Sequence, residues 1–253
     1  MKTPAPKIDA SRPARPRVTR RGLEREIAAC GSAEKAARSA RFFKTGAGEY
    51  GEGDVFLGVT MPELRAIVAR YVGLPRAEVA RLLHAREHEY RMAAVLLLVA
   101  QYRRGDAAVR KEIYSLYLRH ARWVTNWDLV DACAEHIVGA WLDERREKLP
   151  VLTRLARSPL LWERRIAMLA TFHSIKAGRA DEALAVATLL LHDPHDLMHK
   201  AVGWMLREVG KRCSVPVLEA FLAQHSRAMP RTMLRYAIER LPEARRRAVL
   251  AGK

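Results

Sequence analysis

From Leu23 onward, apolar residues return at helical spacing and almost nowhere alternate with a period of two. That is the pattern of amphipathic helices rather than half-buried strands. Pro and Gly fall between the helical stretches, and several helix starts are marked. Thr60-Met-Pro-Glu63 reads as a capping box, with Glu63 able to reach back to the Thr60 amide. Ser158 followed by Pro159 reads as an N-cap with proline at the first helical position. Thr125-Asn-Trp-Asp128 is a weaker box, because Asp is shorter than Glu. The chain is expected to be all-α.

The helices also repeat. Arg91-Met-Ala-Ala-Val-Leu, Arg165-Ile-Ala-Met-Leu, Lys200-Ala-Val-Gly-Trp-Met-Leu and Arg231-Thr-Met-Leu each place a cation just before an apolar helical run. Arg91 to Arg165 spans two units, the missing one falling near Trp127, and each later step spans one, with a period in the thirties of residues. Helix pairs at that period predict an α-solenoid, in which equivalent helices share one, usually concave, face. Arg91, Arg165, Lys200 and Arg231 would then line up as a basic groove, or else mark the solvent edge of each helix.

Charge sharpens this. The 253 residues carry 45 Lys and Arg against 28 Asp and Glu, a net +17, and 49% are hydrophobic. A core of that size excludes global disorder, and the surplus points to a polyanion as partner. Residues 1–21 hold Lys2, Lys7, Arg12, Arg15, Arg17, Arg20 and Arg21 against Asp9, so +6 lies in an expected disordered tail and +11 in the expected domain, residues 22–250. The longest apolar run, Met92 to Ala100, is too short to span a bilayer. The basic N-terminus lacks the apolar stretch of a signal peptide, and its prolines oppose an amphipathic transit helix. Cys30, Cys133 and Cys213 are odd in number and form no C-x-x-C pair, which predicts buried thiols in a reducing cytoplasm.

Two motifs carry little chemistry. Gly46-Ala-Gly-Glu-Tyr-Gly51 matches a dinucleotide fingerprint but follows a helical stretch, and Glu49 and Glu52 would repel a pyrophosphate, so a flexible loop is expected. His192, His195 and His199 have near-ligand spacing, but no Cys or Glu completes a set, and Asp193 and Asp196 read as caps. No metal and no cofactor is expected. Trp127 and Asp131 are more informative, four residues apart on one helix face. Asp131 sits amid Leu129, Val130, Ala132 and Cys133, where a carboxylate needs either a paired cation or a chemical task. Trp123, Trp141, Trp162 and Trp204, like Trp127, could equally be core aromatics.

At these residues the chain resembles the AlkD-like DNA alkylation repair family of DNA glycosylases, which are HEAT-like solenoids. Asn126-Trp-Asp-Leu-Val-Asp131 is similar to the family's Trp-Asp-x-Val-Asp motif, and Trp162-Glu-Arg-Arg165-Ile-Ala to its Trp-x-x-Arg segment. Lys200-Ala-Val-Gly-Trp204-Met-Leu-Arg207-Glu208 resembles its Lys-Ala-x-Gly-Trp-x-Leu-Arg-Glu segment. Upstream, Ala40-Arg-Phe-Phe-Lys44, Phe56-Leu-Gly58-Val, Pro62-Glu63 and Arg65 also fit. The resemblance implies that Asp131 is the catalytic carboxylate and that Trp127 and Trp204 are cleft aromatics on the sugar and backbone of the lesion. It implies that Arg165 contacts DNA near the lesion, and that N3- and N7-alkylated purines leave without being flipped into a pocket. Phe42 stands where some relatives carry Tyr, and Thr60 and Met61 replace more polar residues.

Such a base is already cationic, so its glycosidic bond breaks without a general acid. A fixed carboxylate stabilises the oxocarbenium charge that forms on the sugar. The expected partner is duplex DNA, held by Arg165, Lys200, Arg91, Arg231 and Lys44, and the expected state is a cytoplasmic monomer. A non-catalytic DNA-structure binder of the same architecture would not need the Trp127, Asp131 and Trp204 set. A protein-binding scaffold would show an apolar groove instead of a cationic one.

Overall fold

The computed structural model describes residues 18–145 and 148–252, so most of the basic tail lies outside the described residues. Thr19 caps the first helix by accepting from the Gly22 amide, so Arg20 and Arg21, counted above with the tail, are helical. The helices run α1 (Arg20–Ala29), α2 (Ala33–Phe42), α3 (Met61–Arg70), α4 (Arg76–Leu83), α5 (His88–Arg104) and α6 (Ala107–Arg119). A 3-10 turn, Ala121–Trp123, leads into α7 (Trp127–Ala134), which continues through a π turn, Glu135–Gly139, into α8 (Ala140–Asp143). Then follow α9 (Lys148–Ala156), α10 (Leu161–Ala170), α11 (Phe172–Lys176), α12 (Asp181–Leu189), α13 (Asp196–Arg212), α14 (Val215–His225), α15 (Arg231–Ile238) and α16 (Glu243–Ala251). Among the described residues no helix is long and apolar enough to cross a membrane.

The fold is all-α and solenoid-like. Helices α3, α5, α7, α10, α13 and α15 pack each on the next as one ladder, while α6, α9, α12 and α14 pack behind it. The repeat register read from Arg91, Trp127, Arg165, Lys200 and Arg231 therefore falls on successive ladder helices, α5, α7, α10, α13 and α15. Helix α5 is buried at every position from Arg91 to Val99, because it has neighbours on all sides.

Local signals held unevenly. Glu63 accepts from the Thr60 amide at 2.9 Å, as the capping box requires. Helix α10 starts at Leu161, two residues beyond Pro159. Ser158 instead accepts from the Leu160 amide at 3.1 Å within the preceding turn, whose carbonyls are held by Arg164. Cys133 is buried, but Cys30 is exposed at the C-terminus of α1 and Cys213 is half-buried, correcting the expectation of three buried thiols. Trp141 and Trp162 belong to the core, whereas Trp123 is 44% exposed, so it is no core aromatic.

The glycine of the Lys-Ala-Val-Gly-Trp segment has a packing cause. A Cβ on Gly203 would stand 2.4 Å from the Met233 carbonyl oxygen and 2.5 Å from the Tyr236 Cβ, so α13 and α15 touch backbone to backbone there. Gly203→Ala should force the two helices apart and cost about 1–3 kcal/mol, the usual penalty of overpacking. Chemical denaturation measures this, and an unchanged midpoint would contradict the close approach.

Candidate active site

The site grows from the start of α7. Asn126, fully buried, adopts φ 97° and ψ 147°, a region that L residues with a side chain rarely enter. Its side-chain oxygen accepts from the Trp127 amide at 2.9 Å and its amide nitrogen donates to Asp54 at 3.1 Å, fixing the direction in which the helix sets out. Asp128 accepts from the Leu129 amide at 2.9 Å in the first turn, as expected of a dipole-favoured carboxylate.

Behind this turn lies a buried charged cluster. Arg91 donates to Asp54 at 2.6 Å and to the Thr125 hydroxyl, while His88 lies 3.3 Å from Asp54 through Nδ1 and 2.8 Å from Asp128 through Nε2. Burial alone would drive His88 toward its neutral form, but the hydrogen bonds to Asp128 and Asp54 outweigh it and push the imidazole up to about 9. Rings stack outward from the same cluster: Phe56 on His88 at 4.6 Å, Phe43 on Phe56 at 5.1 Å and Trp127 on Phe43 at 5.3 Å between centroids. The loop that supplies these phenylalanines is tied down by buried Glu89, which accepts from the amides of Leu57 at 2.9 Å, Gly58 at 2.8 Å and Val59 at 3.3 Å. Gly58 has φ 79°, and a Cβ there would lie 2.2 Å from the Ser32 carbonyl oxygen, so the motif glycine is required twice over.

In front of the cluster opens a recess of about 590 Å³. Helix α7 supplies Trp127 and Asp131, α10 supplies Arg165, α13 supplies Leu197, Lys200, Trp204 and Arg207, α15 supplies Tyr236, and the end of α2 with the loop after it closes one side through Phe42, Lys44 and Tyr50. Arg165 donates to both Asp131 oxygens, through Nε and Nη2 at 2.8 Å each, and through Nη1 to the Leu197 carbonyl at 2.8 Å. Burial pushes the Asp131 carboxyl above the usual Asp range, and Arg165 pulls it only part of the way back. Each carboxylate oxygen spends one lone pair on Arg165 and keeps another, and Asp131 retains 17% of its side-chain exposure.

Of the expected site residues, the recess unites Asp131, Trp127, Trp204, Arg165, Lys200 and Lys44. The cationic stripe needs correcting. Arg91 is 6% exposed and committed to Asp54, and Arg165 is 4% exposed and committed to Asp131, because a guanidinium inside the ladder must be met by carboxylates. Lys200 is half-exposed and paired with Asp196 at 2.7 Å. Arg231 is exposed at the start of α15 but does not line the recess. Tyr50, Arg207 and Tyr236 were not among the expected site residues. Tyr50 lies in the glycine-rich loop expected to be flexible, which instead folds back as Glu49 and Glu52 accept from the Gly46 and Gly48 amides at 2.9 Å each. Arg207 was visible in the Lys200–Glu208 segment, and it is held there by Glu239 and Glu208. The clustered histidines serve local structure: His195 accepts from the Leu197 amide, and His199 bonds the Asp193 carbonyl at 2.6 Å.

A model of the DNA alkylation repair enzyme family matches residues 23–241, and the chain belongs to that family. Its role is therefore in the repair of alkylated DNA. A solved structure described as a predicted DNA alkylation repair enzyme from Enterococcus faecalis is similar in fold, with a TM-score of 0.65 at 19% identity, over 84% of this chain and 97% of that one. No curated protein matches the chain.

The His88 geometry sets a pH dependence. An imidazole held at about 9 in the fold and near 6.5 when unfolded contributes stability that is complete below 6.5 and disappears as pH rises through 9. Wild-type stability should fall by about 3 kcal/mol across that interval, from the size of the shift. His88→Gln should flatten the profile, as measured by urea denaturation, and an identical slope in both proteins would refute the charged assignment.

Proposed function

We propose that the protein is a DNA glycosylase that excises cationic N3- and N7-alkylated purines from duplex DNA. The observation that carries this reading is Asp131, a carboxylate held in two-point contact by a buried Arg165 at the wall of a recess shared with Trp127 and Trp204. The two tryptophans suit a sugar that turns cationic, because aromatic faces attract positive charge. Lys44 and the half-exposed Lys200 at the recess suit the flanking phosphates, whereas Arg207 is held by Glu239 and Glu208. Among the described residues that line the recess the hydroxyls are those of Tyr50 and Tyr236, with no Asn, Gln, Ser or Thr, which favours a lesion held through its sugar and backbone rather than flipped.

The chain's own groups account for the chemistry. As the glycosidic bond stretches, its electron pair leaves with the neutral purine and positive charge gathers on the sugar. The free lone pairs of Asp131 face that charge, and they can orient or deprotonate the water that attacks the anomeric carbon. Arg165 weakens the field but does not cancel it. With the sugar about 4 Å from the carboxylate and about 8 Å from the guanidinium, an effective dielectric near 20 leaves about 2 kcal/mol, or roughly thirtyfold in rate. Arg165 is thus a positioning residue that keeps Asp131 ionised and aimed, in place of the direct DNA contact that the resemblance implied.

Incubation with DNA bearing N7-methylguanine or N3-methyladenine should release free base, and Asp131→Asn should slow the single-turnover rate at least about thirtyfold, following the same estimate. No release by the wild type would overturn the enzyme reading in favour of a DNA-structure binder, and equal release would remove Asp131 from the mechanism. Because Arg165 lowers the Asp131 pKa, Arg165→Gln should move the acid limb of the pH–rate profile to higher pH. An unmoved limb would contradict the positioning role.

A further inference from the structure

One exposed cluster stands apart from the recess. His84 ends α4, His120 ends α6, and their Nε2 and Nδ1 atoms lie 2.9 Å apart, one ring donating to the other. Trp123, on the 3-10 turn that follows, packs against His84 with ring centroids 4.8 Å apart and leaves 44% of its surface exposed. Arg86, Arg119 and Arg122, all exposed, adjoin these three residues along the chain. None of the three guanidiniums has a hydrogen-bond or ion-pair partner among the described residues. Some other arginines are tied to carboxylates, as Arg164 is to Asp193 at 2.6 Å and Arg76 to Glu112 at 2.6 Å, and Arg119 feels the same Glu112 without pairing with it.

An exposed aromatic face with exposed arginines next to it along the chain suits a nucleic-acid strand. Phosphates attract the cations, and the ring gains by stacking on a sugar or base. This face is also near the recess along the chain. Trp123 is four residues before Trp127, so the two Cα atoms are at most about 14 Å apart, or about four base-pair steps of 3.4 Å.

We infer that Trp123, His84, His120, Arg86, Arg119 and Arg122 form a second DNA-contact surface, which grips the strand a few nucleotides from the lesion. Trp123 packs on a sugar or base, and the arginines meet consecutive phosphates. This rests on DNA as the partner and not on the glycosylase reading.

The test is binding rather than catalysis. The full chain is titrated, by fluorescence anisotropy at several salt concentrations, onto a duplex with a central tetrahydrofuran abasic analogue and onto its undamaged counterpart. Trp123→Ala should weaken binding five- to tenfold with an unchanged salt slope, and Trp123→Phe should recover most of the loss. The Arg119→Gln/Arg122→Gln double variant should flatten the slope by about 1.8, two phosphate contacts at about 0.9 each. Duplexes ending within three base pairs of the analogue should no longer distinguish wild type from Trp123→Ala. Trp123→Ala binding within twofold of wild type, Phe as weak as Ala, or an unchanged slope in the double variant would each overturn the surface. If these binding differences hold while the wild type releases no base, the glycosylase reading falls and the second surface stands.

Discussion

Two parallel N–H···O bonds from Arg165 to Asp131, each 2.8 Å, are what permit a carboxylate to sit in the packed ladder of this solenoid. Either partner alone would be expensive: an unpaired buried charge costs several kcal/mol, and removing one partner strands the other. The pair also ties α7 to α10, and through the Leu197 carbonyl to the first turn of α13. The three helices that carry Asp131, Arg165 and Trp204 are thus referenced to one guanidinium. The pair is incompletely neutralising, because each carboxylate oxygen keeps a lone pair that Arg165 does not use and Asp131 lines the recess. That residual negative edge, set among cations and aromatic faces, is what the proposed chemistry requires.

Everything around the pair keeps α7 in place. The charged cluster of His88, Asp54, Arg91 and Asp128 lies beneath its first turn, and the stacked rings of Phe56, Phe43 and Trp127 extend from that cluster to the rim. Asn126 accepts an unfavourable backbone geometry so that its side chain can join Trp127 to Asp54. Such strain is expected where position matters more than local stability. Glu89 performs a similar task for the loop, spending a buried carboxylate on three backbone amides that no helix or strand satisfies.

The fold was legible in the sequence because periodicity and repeat spacing are properties of one chain read in order. The register of Arg91, Trp127, Arg165, Lys200 and Arg231 named the ladder helices correctly. What that register could not reveal is direction and burial. A cation heading an apolar run can face solvent, as Arg231 does, or turn inward onto a carboxylate, as Arg91 and Arg165 do. Asp54, the partner of Arg91, comes from a loop with no repeat position, so the pairing left no mark in the pattern. Asp131 showed its need for a partner through its apolar neighbours, but Arg165, 34 positions away, could not be chosen over Arg164 from spacing alone. Tyr50 was hidden because its loop is shaped by carboxylates capping glycine amides, contacts that composition reads as repulsion. The roles of Trp127, Asp131 and Trp204 came from resemblance to a family, and the geometry now places them around one recess.

The central claim is that the recess recognises positive charge on a sugar through Asp131. It is tested most directly by comparing affinity for two otherwise identical duplexes, one carrying a cationic pyrrolidine abasic analogue and the other its neutral tetrahydrofuran counterpart. The account predicts that the cationic duplex binds at least about tenfold more tightly, a difference of about 1.4 kcal/mol, and that Asp131→Asn abolishes the preference. Equal affinity for the two duplexes, or a preference that survives in Asp131→Asn, would contradict it.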